Sequence, residues 1–157
     1  MSKVLFVCTG NICRSPTAEG VFRHCAAAAG LGATLMADSA GTQGYHVGAP
    51  PDPRTVQAAA ARGFDLRGLR ARLVGRADFY DFDLILAMDS GHFDHLEALR
   101  PKDAPAALKL YLDYHPDPGQ RALRDVPDPY YGARTDFERV LDLVEQTSRG
   151  LLEALRK

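Results

Sequence analysis

Residues 7–17 read VCTGNICRSPT, so a cysteine at position 8 is followed six residues later by an arginine. Between them stand Gly10 and Asn11, the residue types that tolerate left-handed backbone angles and let a short loop curl. A curled loop before a helix turns successive N–H groups inward and makes a nest for an anion. Arg14 adds a planar fork that bonds two phosphoryl oxygens at once. Inward N–H groups, the helix dipole and Arg14 would all favour a thiolate at Cys8. Ser15 suits two tasks, capping the helix and donating to the sulfur. Such a loop holds a nucleophile beneath an oxyanion, ready for in-line attack on phosphorus. The bare spacing also fits a buried strand cysteine and a surface arginine. Its place between a strand end and a helix start favours the phosphate loop.

The elements needed to present this loop are legible in the same sequence. SKVLFVC (2–8) is an apolar run without alternation, as in a strand covered on both faces. A helix follows, with Ser15 as N-cap, Pro16 in its first turn and Gly30 as its stop. Residues 33–42 suit a second strand. A second helix is capped by Asp52, opened by Pro53 and ended by Gly63. FDLILAM (82–88) is a third strand, and Asp89 caps a helix that Pro101 closes. LKLYLDY (108–114) suits a fourth strand, and 115–134 reads as loop. Thr135 with Glu138 forms a capping box for a long amphipathic helix to Arg156. Strands alternating with helices predict one α/β domain over 1–157, a parallel sheet flanked by helices. Ligands bind such sheets beyond the carboxyl ends of the strands, where Cys8 falls.

Bulk properties narrow the function. The chain has 157 residues and a formal net charge of -1, which gives no case for nucleic-acid or membrane binding. Three cysteines, an odd number, point to a reducing, cytoplasmic setting rather than a disulfide scaffold. No targeting segment is visible, and VLFVC is too short for a signal core or membrane span. The five histidines show no metal-ligand spacing and read as surface or core residues. An oxyanion leaves phosphorus more readily when protonated, so the chemistry also needs an acid. Asp117, Asp125 and Asp128 all lie in the 115–134 loop.

VCTGNICRSPTAE resembles the signature loop of the low-molecular-weight protein-tyrosine phosphatases. DSAGT (38–42), GAPPDPR (48–54), MD (88–89) and DPYY (128–131) follow in that family's order, so the resemblance spans essentially the whole chain. It implies a doubly wound α/β fold with a central four-stranded parallel sheet, no metal and no organic cofactor. It implies that Cys8 forms a cysteinyl-phosphate, that Arg14 grips the equatorial oxygens, and that Asp128 is the acid and later the base. Thr9, Gly10, Asn11, Ile12, Cys13 and Ser15 would complete the phosphate-binding loop. Ser39 would support Asn11, and Asp89 would stand beside the loop in addition to its cap. Tyr45, Tyr130 and Tyr131 would wall a cleft for the substrate ring. Cys13 would be placed to trap an oxidised Cys8 as a disulfide. Where Leu69 stands the family often has a histidine that buttresses the loop asparagine, so Asn11 needs another support here.

The resemblance implies a metal-independent enzyme that acts on phosphotyrosine in proteins or peptides and binds phosphate-like oxyanions, and nothing in the sequence calls for more than a monomer. Ile12 supports the aryl reading, because related arginine-phosphate phosphatases tend to carry a smaller polar residue there. An arsenate reductase on the same loop would need further cysteines to relay a disulfide, and beyond Cys13 only Cys25 is available. A phosphate sensor would need no acid.

Overall fold

The computed structural model describes residues 2–156. Four parallel strands form its sheet: β1 (Ser2–Cys8), β2 (Leu35–Gly41), β3 (Leu84–Ala87) and β4 (Ala107–Leu110), in the order β2-β1-β3-β4. Successive strand residues face opposite sides. Phe6, Cys8, Leu86 and Met88 therefore enter one apolar core and Leu5, Val7, Ile85 and Ala87 the other. The first core is covered by α1 (Arg14–Ala28), α2 (Pro53–Ala60) and α6 (Arg134–Arg156). The second is covered by α3 (Asp78–Asp81) and α4 (Ser90–Leu99). Both faces of the central strands β1 and β3 are covered, which is why these two read as continuous apolar runs.

This strand order places the functional loop. From β1 the chain crosses through α1 to β2 on one side, while β3 pairs on the other side of β1. Chains leaving β1 and β3 thus diverge toward opposite faces and open a crevice between their carboxyl ends. Cys8 pairs with Gly41 and Val7 with Ala87, so three strand ends meet at that crevice.

The expected elements are present, with informative shifts at their ends. Asp52 caps α2 by accepting from Arg54 N at 2.8 Å, and Asp89 caps α4 by accepting from His92 N at 2.9 Å. Gly30 sits at φ 76 just beyond α1, as a stop residue should. Ser15 is not the N-cap of α1: the helix begins at Arg14, Cys13 takes the cap position without a side-chain bond, and the Ser15 hydroxyl turns toward Cys8. The fourth strand ends at Leu110, because Tyr111–Tyr114 winds into a 3₁₀ turn. That turn aims the buried Tyr111 hydroxyl at Ser148 (2.9 Å) and Val144 O (3.1 Å) on α6. The segment 115–134 holds one helical turn, α5 (Pro118–Arg121), which Asp117 caps through Gly119 N. The Thr135/Glu138 capping box does not form. Instead Asp136 accepts from Ala133 N at 2.7 Å, and Glu138 is drawn to Arg62 at 2.6 Å.

α6 packs against the 3₁₀ turn through Gly150, where an added Cβ would collide with the Tyr114 carbonyl. Gly150→Ala is therefore expected to destabilise the fold by about 1–3 kcal/mol. Urea unfolding measures this, and wild-type stability would contradict so close an approach.

Candidate active site

The loop after β1 is shaped by one side chain. Asn11 holds the left-handed conformation, φ 59. Its Nδ2 donates to Ser15 Oγ (2.8 Å) and Ser39 Oγ (2.9 Å), and its Oδ1 accepts from Arg72 N (3.0 Å). The support that Leu69 cannot give thus comes from a backbone N–H three residues on, while Leu69 packs against the core. Arg72 is itself anchored, its guanidinium bonded to Asp38 and Asp78. Ser39 Oγ donates to Glu19 Oε1 at 2.7 Å. Burial raises the Glu19 pKa, against the lowering effects of Ser39 and Arg23.

Neighbouring segments hold the loop's carbonyls outward. Cys8 O accepts from Thr42 N, Thr9 O from Gln43 N and Ile12 O from Asp52 N, at 2.9 to 3.0 Å. Among the described residues, no such bond engages the N–H groups of Gly10, Asn11, Ile12 and Cys13, which leaves them for an anion. Gly41 permits this closeness: a Cβ there would lie 2.6 Å from Thr9 O and 3.2 Å from Asn11 N.

Cys8 and Arg14 lie at the base. Cys8 Sγ is 3.0 Å from Ser15 Oγ. Arg14 is only 4% exposed. Its Nη1 donates to Asp89 Oδ2 (2.9 Å) and Val126 O (3.0 Å), and its Nη2 to Thr9 Oγ1 (3.4 Å). Asp89 therefore both caps α4 and pairs with Arg14. Burial would raise its pKa, but the His92 N–H, His92 and Arg14 outweigh that and lower it. His92, which the sequence marked only as a surface or core histidine, is buried here with Nε2 2.8 Å from Thr9 Oγ1. Burial first, then Arg14, push its pKa down to about 4. The Val126 carbonyl was equally invisible, since a backbone acceptor leaves no mark in residue type.

A cleft of about 290 Å³ opens above this base. Tyr45, Tyr130, Tyr131 and Ile12 line it, together with His46, which sequence reasoning did not single out. Gly10 leaves room for His46, because a Cβ there would come within 2.9 Å of the ring. Tyr130 and Tyr131 meet edge to face at 4.9 Å. Arg54, held by Asp52, lies 5.4 Å from the Tyr130 ring centre and braces it from behind. Of the three loop carboxylates, Asp117 caps α5 and Asp125 accepts from Ser90 N and Oγ. Asp128 alone of them lines the cleft, with Oδ1 accepting from Tyr130 N (3.1 Å) and Oδ2 3.6 Å from Arg14 Nη2. Cys13 borders the cleft but is buried, and burial chiefly pushes its thiol up to about 12, so at neutral pH it carries its proton. Among the described residues, no group of three or more His, Cys, Asp or Glu side chains could hold a metal ion.

His92 makes one consequence measurable. Its folded pKa lies below the ordinary 6.5, so the unfolded chain binds the proton first as pH falls. The stabilisation is complete above pH 6.5 and is lost on acidification toward pH 4. The expected loss is on the order of 3 kcal/mol. Denaturant titrations from pH 7 to 4 should give a shallower slope for His92→Gln than for wild type; identical slopes would show that His92 titrates normally.

Comparison with known proteins agrees with this geometry. Residues 3–157 match the family model described as low molecular weight phosphotyrosine protein phosphatase. The low molecular weight protein-tyrosine-phosphatase of Streptomyces coelicolor is 48% identical over 99% of this chain and 94% of its own. The crystal structure of YfkJ from Bacillus subtilis, 42% identical, covers 99% of this chain and 95% of its own at a TM-score of 0.90. An arginine phosphatase from Drosophila reaches the same TM-score, 0.90, at 29% identity, covering 100% of this chain and 99% of its own. The alternation of strands and helices, the sheet order and the loop after β1 all agree with that match: the chain belongs to the low molecular weight phosphotyrosine protein phosphatase family.

Proposed function

We propose that this enzyme hydrolyses phosphotyrosine in proteins or peptides through a cysteinyl-phosphate intermediate. The observation that carries the reading is the convergence of Cys8, Arg14 and Asp128 on one cleft, with Asp128 Oδ2 only 3.6 Å from the guanidinium. Phosphate would bind against the loop N–H groups and Arg14. The Cys8 thiolate attacks phosphorus, an S–P bond forms, and the P–O bond to the phenol breaks. Asp128 delivers its proton to the departing oxygen. In the second step the Asp128 carboxylate takes a proton from water, the water oxygen attacks phosphorus, and the S–P bond breaks to release phosphate. Ser15 Oγ, 3.0 Å from the sulfur, is placed to donate to the thiolate as it leaves.

Arg14 and the inward loop N–H groups supply the electrostatic stabilisation in this scheme. Arg14 is buried and already oriented by Asp89 and Val126 O, so little reorganisation accompanies charge development on the transferring group. Tyr130, Tyr131 and Tyr45 are apolar walls suited to a phenyl ring and give it a flat slot. Ile12 adds an apolar contact that favours an aryl group over a guanidinium. Every group the reaction uses comes from one chain, so a monomer suffices, and a free thiol nucleophile suits a reducing cytoplasm.

Turnover of p-nitrophenyl phosphate and of phosphotyrosine, phosphoarginine and phosphoserine peptides tests this reading. Cys8→Ser should abolish turnover, and phosphotyrosine should be the best peptide substrate. Full activity of Cys8→Ser would remove the nucleophile, and preference for phosphoarginine would overturn the aryl assignment.

Asp128→Asn should slow phenyl phosphate by about 10²–10⁴-fold and esters with good leaving groups much less. Equal slowing across that series would deny Asp128 the acid role.

A further inference from the structure

At the base of the cleft the side chains of Arg14, Asp89 and Thr9 close into a ring with His92, which takes part through both its backbone N–H and its imidazole. Arg14 Nη1 donates to Asp89 Oδ2 (2.9 Å), and Asp89 Oδ1 accepts from His92 N (2.9 Å). His92 Nε2 meets Thr9 Oγ1 (2.8 Å), and Thr9 Oγ1 accepts from Arg14 Nη2 (3.4 Å). The ring joins the loop after β1 to the start of α4 across the crevice. His92 has no place in the reaction scheme, yet it is 5% exposed and touches both the phosphate loop and the partner of Arg14.

Proton counting fixes the direction of the bonds. The Thr9 hydroxyl has one proton and already accepts from Arg14. If Nε2 carried the imidazole proton, Thr9 would accept twice and its own proton would have no partner among the described residues. The lone pair of Nδ1 would then face the Asp89 carboxylate at 3.1 Å. With the proton on Nδ1 both conflicts vanish. Nε2 accepts from the Thr9 hydroxyl, and Nδ1–H lies 3.1 Å from Asp89 Oδ1, a favourable charge contact that is not a hydrogen bond. Thr9 is then held with its lone pairs toward Arg14.

We infer that His92, as the neutral Nδ1–H tautomer, is a positioning residue that orients Thr9 and so, together with Asp89, fixes the plane of the Arg14 guanidinium. Burial and the charge of Arg14 keep the imidazole neutral against Asp89, Asp128 and Asp125, the carboxylates that favour its protonation. A protonated ring would have donors on both nitrogens and would turn the Thr9 hydroxyl away from its present direction. The role rests on the phosphatase reading, because it acts through Arg14. Correct orientation of the guanidinium matters most when the phosphoryl group is planar and five-coordinate, less when it is a bound tetrahedral anion.

Two measurements test the inference. ¹⁵N spectra of the imidazole should show the Nδ1–H pattern for His92 between pH 6 and 8. This readout needs no activity, so it stands apart from the test of the function, and an Nε2–H or charged ring overturns the assignment. The second measurement compares His92→Phe, which keeps the bulk and removes both nitrogens, with His92→Gln, whose amide oxygen can accept from Thr9. On p-nitrophenyl phosphate, His92→Phe should lower kcat about tenfold and weaken inhibition by vanadate similarly. Inhibition by inorganic phosphate should stay within about twofold, and His92→Gln should recover most of the loss. Unchanged kcat in His92→Phe, equal losses for vanadate and phosphate, or no recovery in His92→Gln would each overturn it. If His92→Phe does not fold, Thr9→Val cuts the ring at the hydroxyl and must show the same vanadate-against-phosphate split.

Discussion

The site depends on the conformation of one residue, Asn11. A non-glycine residue in the left-handed region is strained by about 1–3 kcal/mol. Its amide makes three hydrogen bonds in a buried setting, to Ser15, Ser39 and Arg72 N. At about 0.5–1.5 kcal/mol net each, these are enough to hold the strained turn. The same bonds tie the loop to α1, to β2 and to the segment before α3, so its curvature is fixed from three directions. Turning one peptide at Asn11 swings the following N–H groups toward a common point. Without that turn, Cys8 would remain an ordinary buried residue at the end of a strand.

Much of the fold was legible because its signals are local. The apolar runs at 2–8 and 82–88, and the caps Asp52 and Asp89, act through neighbouring backbone and so survive in residue type and spacing. The failures are long-range competitions. Ser15 has the chemistry of an N-cap, but Asn11 and Cys8 claim its hydroxyl and the helix starts without it. Glu138 fits a capping box by spacing, yet Arg62, 76 residues earlier, offers it a charged partner. The strand predicted to reach Tyr114 stops early because the Tyr111 hydroxyl finds hydrogen-bond partners on α6. In each case a partner distant in sequence outweighs a local preference.

The site divides the same way. Cys8, Arg14 and Asn11 stand close together in the chain, and their meaning can be read from order alone. Asp128, Tyr45 and Tyr130 were reached only through the family resemblance, since Asp-Pro is a common turn and tyrosine a common loop residue. The structure adds a reason for Asp128 that sequence could not: Asp117 and Asp125 are both committed to backbone donors elsewhere. His92, His46 and the Val126 carbonyl carried no sequence signal. A lone histidine has no diagnostic spacing, and a backbone carbonyl has no identity.

Arg14 also links the two halves of the proposed mechanism. Its Nη1 holds Val126 O, two residues before Asp128, while Val126 N donates to Met88 O at the end of β3. The segment carrying the proposed acid is thus pinned by the same guanidinium that would bind the phosphoryl oxygens. Asp128 Oδ2, 3.6 Å from Nη2, stands where an incoming phosphoryl oxygen would compete for that donor, so substrate binding would free the carboxyl to face the leaving oxygen. Removing Arg14 would therefore strip charge from the transition state, release the acid's segment and leave Asp89 half-buried without its cation. Its loss cannot be read as the worth of one contact, because residues that act as a unit do not contribute additively. The ring through Asp89, His92 and Thr9 follows from this dependence. A cation on which both substrate and acid rely must itself be held in one orientation, and burial alone supplies no direction.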